Sequence, residues 1–159
     1  MRKLRALSYD ERFMIEALKE AHKALEKDEV PVGAVIVRDG KVIARAHNQN
    51  VLLKDPTAHA EMVAITEAAA AFQSGRLLNT ELYVTIEPCA MCAGALVLAR
   101  VKRIIYGAED PKAGACGSVI DITHHKKLNH RISTTSGILE KECRAIIQEF
   151  FRRRRGKEN

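Results

Sequence analysis

The chain has 159 residues, of which 47% are hydrophobic, and this size predicts one domain, residues 1–159, with a core of ordinary size. The 26 lysines and arginines outnumber the 20 acidic residues, and the resulting net charge of +6 favours a polyanionic partner without establishing one. No apolar run is long enough to cross a membrane or to form the core of a signal peptide. We therefore expect a cytoplasmic protein whose four cysteines form no disulfides.

The first fifty residues predict a helix followed by a β-hairpin. Ser8 and Glu11 have the spacing of a capping box. Apolar residues follow them at helical intervals: Met14, Ala17, Leu18, Ala21 and Leu25. Residues 30–48 then indicate two antiparallel strands joined at Asp39-Gly40, because this dipeptide readily takes the positive backbone angles of a tight turn.

Helices and strands are predicted to alternate in the middle of the chain. A helix is expected to begin with Asp55 as its cap and Pro56 at its first position, and to continue to about residue 71. The run 81–86 indicates a strand, a helix is expected to restart at Pro88, and residues 101–108 indicate a further strand. Such alternation implies parallel strand pairs connected by crossovers, so the sheet should be mixed.

The last third of the chain predicts a long loop, one strand and one helix. Residues 109–129 show little periodicity and indicate a loop with at most one short helical piece, and long ordered loops are often functional. Residues 131–138 could form a last strand. The amphipathic helix after it should end in a basic segment at about residues 150–159. Its inward residues are predicted to be Leu139, Cys143, Ile146, Ile147 and Phe150.

Cys89 and Cys92 have the spacing of a metal-binding pair at a predicted helix start. The unpaired N–H groups and the dipole at a helix start favour thiolates, which are the form that binds metal. His59 is the natural third ligand, and three protein ligands with one open position are typical of a catalytic zinc. Glu61, two residues beyond His59, would reach the zinc's water molecule as a proton carrier if both lie at a helix start.

Each half of this pattern has a simpler interpretation. A His-x-Glu pair near a helix start is usually a surface pair, and a single C-x-x-C can be a redox pair or half of a structural zinc site. The second C-x-x-C of a closed site with four cysteine ligands is absent from the sequence. The combination H-x-E followed by P-C-x-x-C, with the cysteines directly after a strand, is far more specific and matches the zinc-deaminase signature.

Most of the chain from Ser8 to Arg155 resembles the tRNA-specific adenosine deaminases of the cytidine deaminase-like superfamily. The segments that carry the resemblance are VPVGAV, DPTAHAE, LYVTIEPCAMCAGA, GAEDPKAG, GSVIDITHH, LNHR and FFRRRR. The resemblance implies a three-layer α/β/α sandwich around a mixed five-stranded sheet, and it implies a homodimer. It also implies one Zn²⁺ per chain and, as substrate, the wobble adenosine of a tRNA anticodon stem-loop, which is converted to inosine.

The same resemblance assigns roles to individual residues. His59, Cys89 and Cys92 look like the zinc ligands, and Glu61 looks like the proton shuttle. The residues similar to those that contact the substrate are Asn48, Asp110, Lys112, His125, Asn129, His130, Arg131 and the arginines Arg152, Arg153, Arg154 and Arg155. Asn48 could equally be a turn former, the histidines solvated loop residues and the arginines a solvated helix end. Cys116 is expected to be a packed thiol and Cys143 a core residue.

Two other functions fit parts of the sequence. A zinc deaminase of a free base or nucleoside, of the guanine or cytidine type, would share the zinc chemistry, although the basic tail argues against it. A non-catalytic RNA-binding protein with a structural zinc would need a fourth protein ligand, for which Cys116 is the candidate, or an inert Glu61.

Overall fold

The computed structural model describes residues 4–157, so the outermost residues of the predicted 1–159 domain, including 158 and 159 of the basic end, lie outside the described residues. None of the described helices is both long and apolar enough to cross a membrane. The elements follow in the order α1 (Tyr9–Glu26), β1 (Gly33–Arg38), β2 (Lys41–His47), α2 (Asn50–Leu53), α3 (Ala60–Phe72), β3 (Glu81–Ile86), α4 (Ala90–Ala99), β4 (Arg103–Ala108), β5 (Ser133–Thr135) and α5 (Glu140–Lys157).

The five strands form one mixed sheet in the order β2-β1-β3-β4-β5. Strand β1 is antiparallel to both β2 and β3, whereas β3, β4 and β5 run parallel. The β1–β2 turn is formed by Asp39 and Gly40, whose φ angles are 51° and 73°. The predicted hairpin, the last strand and the mixed sheet are therefore confirmed.

Helices cover both faces of the sheet, which is why the first five residues of β1 are all buried. Ala34 and Ile36 point to the face packed by α3 and α4. Val35 and Val37 point to the other face, where Met14 of α1 and Cys143 of α5 pack against them. The result is the predicted three-layer α/β/α arrangement, with an aliphatic core on each side of the sheet.

Two predicted helix starts are wrong by a few residues. Helix α3 begins at Ala60 rather than at Pro56, because the Asp55 carboxylate accepts hydrogen bonds from the Thr57 N–H at 2.8 Å and hydroxyl at 2.7 Å and holds a turn there. Helix α4 begins at Ala90, not at Pro88. The short helix α2 was not predicted, and residues 109–132 form turns and one isolated bridge.

An ion-pair network joins α1 to β3 and β4 at the end of the sheet where β3 begins. The Arg103 guanidinium donates to both carboxylate oxygens of Asp10, at 2.6 and 3.0 Å, and to Glu81 at 3.0 Å. Tyr83 donates its hydroxyl to Asp10 at 2.8 Å. Partial burial opposes ionisation of Asp10, but the hydrogen bonds from Arg103 and Tyr83 prevail and lower the pKa of this carboxyl.

We predict that Arg103→Ala lowers the free energy of unfolding by about 1–3 kcal/mol at pH 7, since it leaves two partly buried carboxylates without their cation. Because the folded-state pKa of Asp10 is depressed, this stabilisation exists above its ordinary pKa of 3.8 and is lost as the pH falls through the folded-state value. Urea unfolding at pH 7 and pH 3 measures both effects. Lys102→Ala removes an exposed neighbouring cation and should change neither the free energy of unfolding at pH 7 nor the difference between its values at pH 7 and pH 3.

Candidate active site

Two helix starts meet beyond the end of β3 and bring His59 and Cys89 together. His59 is the residue before α3, Cys89 is the residue before α4, and both have extended backbones, with ψ of 151° and 176°. Cys92 follows in the first turn of α4, so its sulfur lies on the same side as that of Cys89. The unpaired N–H groups of both helix starts favour negative charge at this point.

The distances among the three side chains fit a metal ion. The His59 Nδ1 atom lies 3.6 Å from the Cys89 Sγ and 3.5 Å from the Cys92 Sγ, and all three ligand atoms lie within 4.8 Å of one another. Tetrahedral zinc with Zn–S of about 2.3 Å and Zn–N of about 2.05 Å requires an S···N separation of about 3.6 Å. The group therefore has the dimensions of a zinc site in which Nδ1 is the histidine ligand.

The chemistry of the donor set also fits a cation. Hydrogen bonds from Cys92 and His59 hold the pKa of Cys89 well below its ordinary value, so Cys89 is a thiolate. The adjacent Cys89 thiolate and burial raise the pKa of Cys92, so the two sulfurs by themselves retain one proton. A bound dication would release that proton and hold both thiolates.

Glu61 lies beside this group without belonging to it. It occupies the first turn of α3, is 3% exposed and lies close to Cys92, but its oxygens are outside the set of three mutually close ligand atoms. His59 and Glu61 can share one site because His59 precedes the helix, which removes the restriction on residues two apart within a helix. Burial raises the pKa of the Glu61 carboxyl, which suits a group that must accept and return a proton.

A cavity of about 480 Å³ opens over these residues. Asn48, Asp110 and Lys112 line it, together with His59, Glu61 and Cys89. Asn48 is 6% exposed, and its backbone N–H donates to the Val32 carbonyl at 3.0 Å, which fixes it at the end of β2. The volume falls within the range of small-molecule sites, and one nucleoside would fill much of it.

Comparisons with known proteins agree with this geometry. A family model described as MafB19-like deaminase matches residues 8–155. The tRNA-specific adenosine deaminase of Bacillus subtilis is 48% identical over 151 residues, which cover 95% of this chain and 94% of that protein. The chain belongs to the tRNA-specific adenosine deaminases.

Solved structures bear out the fold of this deaminase family. A structure from studies of A-to-I editing by tRNA:A34 deaminases superposes with a TM-score of 0.82 at 47% identity, covering 85% of this chain and 98% of that one. A guanine deaminase from Nitrosomonas europaea superposes with a TM-score of 0.78 at 25% identity, covering 94% and 88%. The cytidine deaminase-like architecture is therefore confirmed.

In this tRNA-deaminase chain, the other predicted substrate residues lie outside the cavity lining. His125 is exposed, and its Nδ1 accepts a hydrogen bond from the Lys127 N–H at 3.2 Å. Asn129 and Arg131 are also exposed. The partly buried His130 ring bonds the Val101 carbonyl at 2.7 Å and anchors the loop to the end of α4.

The terminal arginines of α5 differ in what they contact. Arg152 and Arg153 pair with Glu149, and the Arg154 guanidinium lies 5.4 Å from the centre of the Phe150 ring. Arg155 lines a second hollow, which shares Lys112 and Phe151 with the main cavity. A basic path therefore leads from the cavity to the end of α5.

Among the cavity-lining residues that sequence reasoning missed are Asn50, Glu87, Arg144 and Phe151. Arg144 and Phe151 are seven apart on α5, so helical periodicity could have placed them on one stripe with Ile147. Glu87 directly precedes the P-C-x-x-C motif, and this position is the one sequence signal that could have marked it as a cavity residue.

The two remaining cysteines are buried thiols. Cys116 is 6% exposed, and burial together with the charge of Glu87 raises its pKa to about 12. Cys143 is fully buried in the core, and burial raises its pKa to about 12 as well. The predictions of a packed thiol and a core thiol are confirmed. Among the described residues, neither joins the metal-binding group.

We predict that the purified protein carries about one zinc ion per chain, and that Cys89→Ala and Cys92→Ala abolish retention of that ion because they remove thiolate ligands. Elemental analysis after extensive dialysis measures the number of zinc ions per chain. Cys116→Ala and Cys143→Ala serve as matched controls and should retain zinc in full. Retention by the Cys89 and Cys92 variants would contradict the assigned ligands.

Proposed function

We propose that this protein is a zinc-dependent hydrolase that deaminates adenosine to inosine at the wobble position of a tRNA anticodon. The observation that carries the proposal is the His59, Cys89 and Cys92 group, of which His59 and Cys89 line a cavity, with the buried carboxylate of Glu61 beside it. Family membership supplies the substrate class, since the relatives are named for tRNA-specific adenosine deamination.

His59, Cys89 and Cys92 would hold the zinc, one ion per chain, and leave its fourth position open. Zinc in such a site supplies a water molecule that is activated at neutral pH. Side chains of the protein would then transfer the protons. Glu61 would take one proton from the attacking water and deliver it to N1 of adenine, and it would then carry the second proton of that water, from the hydroxyl added at C6, to the amino group. The C6–N bond would break and ammonia would leave, so adenosine and water would give inosine and ammonia.

The cavity residues would hold the nucleoside during these transfers. Asn48 would hydrogen-bond the base, and Asp110 and Lys112 would contact the RNA strand, since all three line the cavity. An adenine stacked in a helix could not reach Glu61, so the nucleotide must be turned out of the anticodon loop, which an unpaired loop permits at low cost. His125, Asn129 and Arg131 would contact the RNA from the exposed loop before β5.

The basic end of α5 would hold the phosphates of the stem-loop. Arg155 lines the hollow that adjoins the cavity, and Arg152, Arg153 and Arg154 precede it on the same helix. We further propose that residues 1–159 form a single deaminase domain, and that it works as a homodimer in the cytoplasm, where its tRNA substrate would be found. Apolar side chains left exposed on the described surface support a partner: Val51, Leu52, Leu98, Val119 and Ile120.

Deamination of a free purine is the second candidate function, because the guanine deaminase from Nitrosomonas europaea shares the fold. The much higher identity to tRNA-specific relatives favours the RNA substrate. A structural zinc in a non-catalytic RNA-binding protein is disfavoured, since among residues 4–157 no fourth Cys, His, Asp or Glu completes the group.

Inosine mapping tests the proposal directly. Incubation of unmodified tRNA with the wild-type protein should place inosine at the wobble position, and Glu61→Gln should lower the rate by about 10²–10⁴ because the amide cannot carry the proton. The variant should keep its zinc and its unfolding transition. Deamination by Glu61→Gln near the wild-type rate would refute this mechanism. Comparable catalytic efficiency on free adenosine or guanine would favour the second candidate.

Salt dependence tests the role of the α5 arginines. Replacing Arg152, Arg153, Arg154 and Arg155 with glutamine should flatten the slope of log affinity against log salt for an anticodon stem-loop by up to about 3, at roughly 0.7 per single-strand phosphate. The matched control removes four cations from α1 and the β1–β2 hairpin, namely Arg12, Lys19, Lys41 and Arg45. An equal change in both proteins would show a nonspecific charge effect and contradict phosphate binding by α5.

A further inference from the structure

Glu87 is a buried carboxylate that the chemistry described above does not use. It follows β3 directly, is 2% exposed and stands two residues before Cys89. Its own N–H donates to the Ala108 carbonyl at 2.9 Å, which extends the β3–β4 pairing beyond the end of the strand. Among the described residues, no lysine, arginine or histidine pairs with it. A charge in this environment needs other partners, and the loop after β4 provides them.

Four hydrogen bonds from that loop converge on the Glu87 carboxylate. One oxygen accepts from the Asp110 N–H at 3.1 Å and from the Ser118 hydroxyl. The other accepts from the Cys116 N–H at 3.0 Å and from the Ser118 N–H at 3.2 Å. Residues 110 and 118, eight positions apart in the chain, are therefore held by one side chain, and the bonds are charge-assisted.

The loop is shaped to admit this carboxylate. A Cβ atom on Gly114 would lie 2.4 Å from the Glu87 carboxyl carbon, so any larger residue would push the side chain out. The Ala115 N–H donates to the Pro88 carbonyl at 2.8 Å and adds a second tie to the turn that carries Cys89. Asp110 in turn accepts from the N–H groups of Lys112 and Ala113, at 3.0 and 3.2 Å.

We infer that Glu87 is a positioning residue, which fixes the loop 110–118 against the Cys89 turn and thereby sets where Asp110 and Lys112 face the substrate. The inference rests on the proposed function for the identity of the substrate, but the hydrogen bonds between Glu87 and the loop are independent of that substrate. Glu87 is not one of the three metal-ligand residues, and although it lines the cavity, its carboxylate accepts its hydrogen bonds from the loop. Its effect passes through the loop, whose residues 110–113 line the cavity.

Glu87→Gln is the direct test, because the amide replaces one acceptor oxygen with an NH₂ group that cannot accept from N–H donors. Backbone amide exchange in residues 110–118 should become at least about 10-fold faster, with α1 and α5 unchanged and zinc retained. With the anticodon stem-loop, KM should rise about 10-fold or more and kcat should fall less. A purely structural role would lower the fraction of active enzyme, reducing apparent kcat at unchanged KM.

Asp10→Asn is the matched control. It makes the same carboxylate-to-amide change in a partly buried network at the opposite end of the sheet. It should lower stability but leave the exchange of residues 110–118 and KM unchanged. If Glu87→Gln does not fold, Ser118→Ala removes one of the four donors and should give a smaller rise in exchange and in KM.

The two proposals fail in different ways. Unchanged exchange of residues 110–118 in the folded Glu87→Gln protein, or an unchanged KM with reduced kcat, would overturn the positioning role. Absence of wild-type activity on the stem-loop would refute the proposed function, while faster exchange in the same variant would still establish the tie.

Discussion

The approach of two sulfur atoms to one imidazole nitrogen constrains the rest of this structure. His59 Nδ1 can lie 3.5–3.6 Å from both sulfurs only if the first residues of α3 and α4 come together at one end of the sheet. This condition is met because α3 and α4 pack on the same face of the sheet, where β3, which precedes α4, lies beside β1. The alanines Ala60, Ala64 and Ala68 allow α3 to lie close to the sheet and satisfy that requirement.

The sequence predicted the elements of this centre well because each signal is local. The C-x-x-C spacing, the Asp39-Gly40 turn and the alternation of helices with strands act within a few residues. The helix starts were misplaced because Asp55-Pro56 is compatible with a cap and with a turn, and the hydrogen bonds to Thr57 decide for the turn. Glu87 and its partners escaped prediction because they are 23 to 31 residues apart and meet only in the folded chain.

Two buried carboxylates, Glu29 and Glu87, accept hydrogen bonds from backbone N–H groups of segments on two sides of the cavity. Glu29 is 1% exposed and accepts from the N–H groups of Val51 and Leu52, at 3.1 and 2.7 Å, which fixes α2 next to Asn48. Glu87 does the same for the loop after β4. Glu29 satisfies N–H groups at the start of α2 that have no partner within the helix, and Glu87 satisfies N–H groups of an irregular loop, so both segments keep a defined shape.

The residues that carry the chemistry and the residues that would contact the substrate lie on different elements, which explains how one metal centre can serve different substrates. The His59, Cys89 and Cys92 group and Glu61 lie at the starts of helices α3 and α4. Cavity residues that would meet the rest of the nucleic acid belong to the loop after β4 and to α5. A change in Lys112, Arg144 or Phe151 can therefore alter which molecule is admitted while the geometry at His59 stays intact. Discrimination between an anticodon loop and a free purine must reside in these outer contacts, because the chemistry at the centre is common to both.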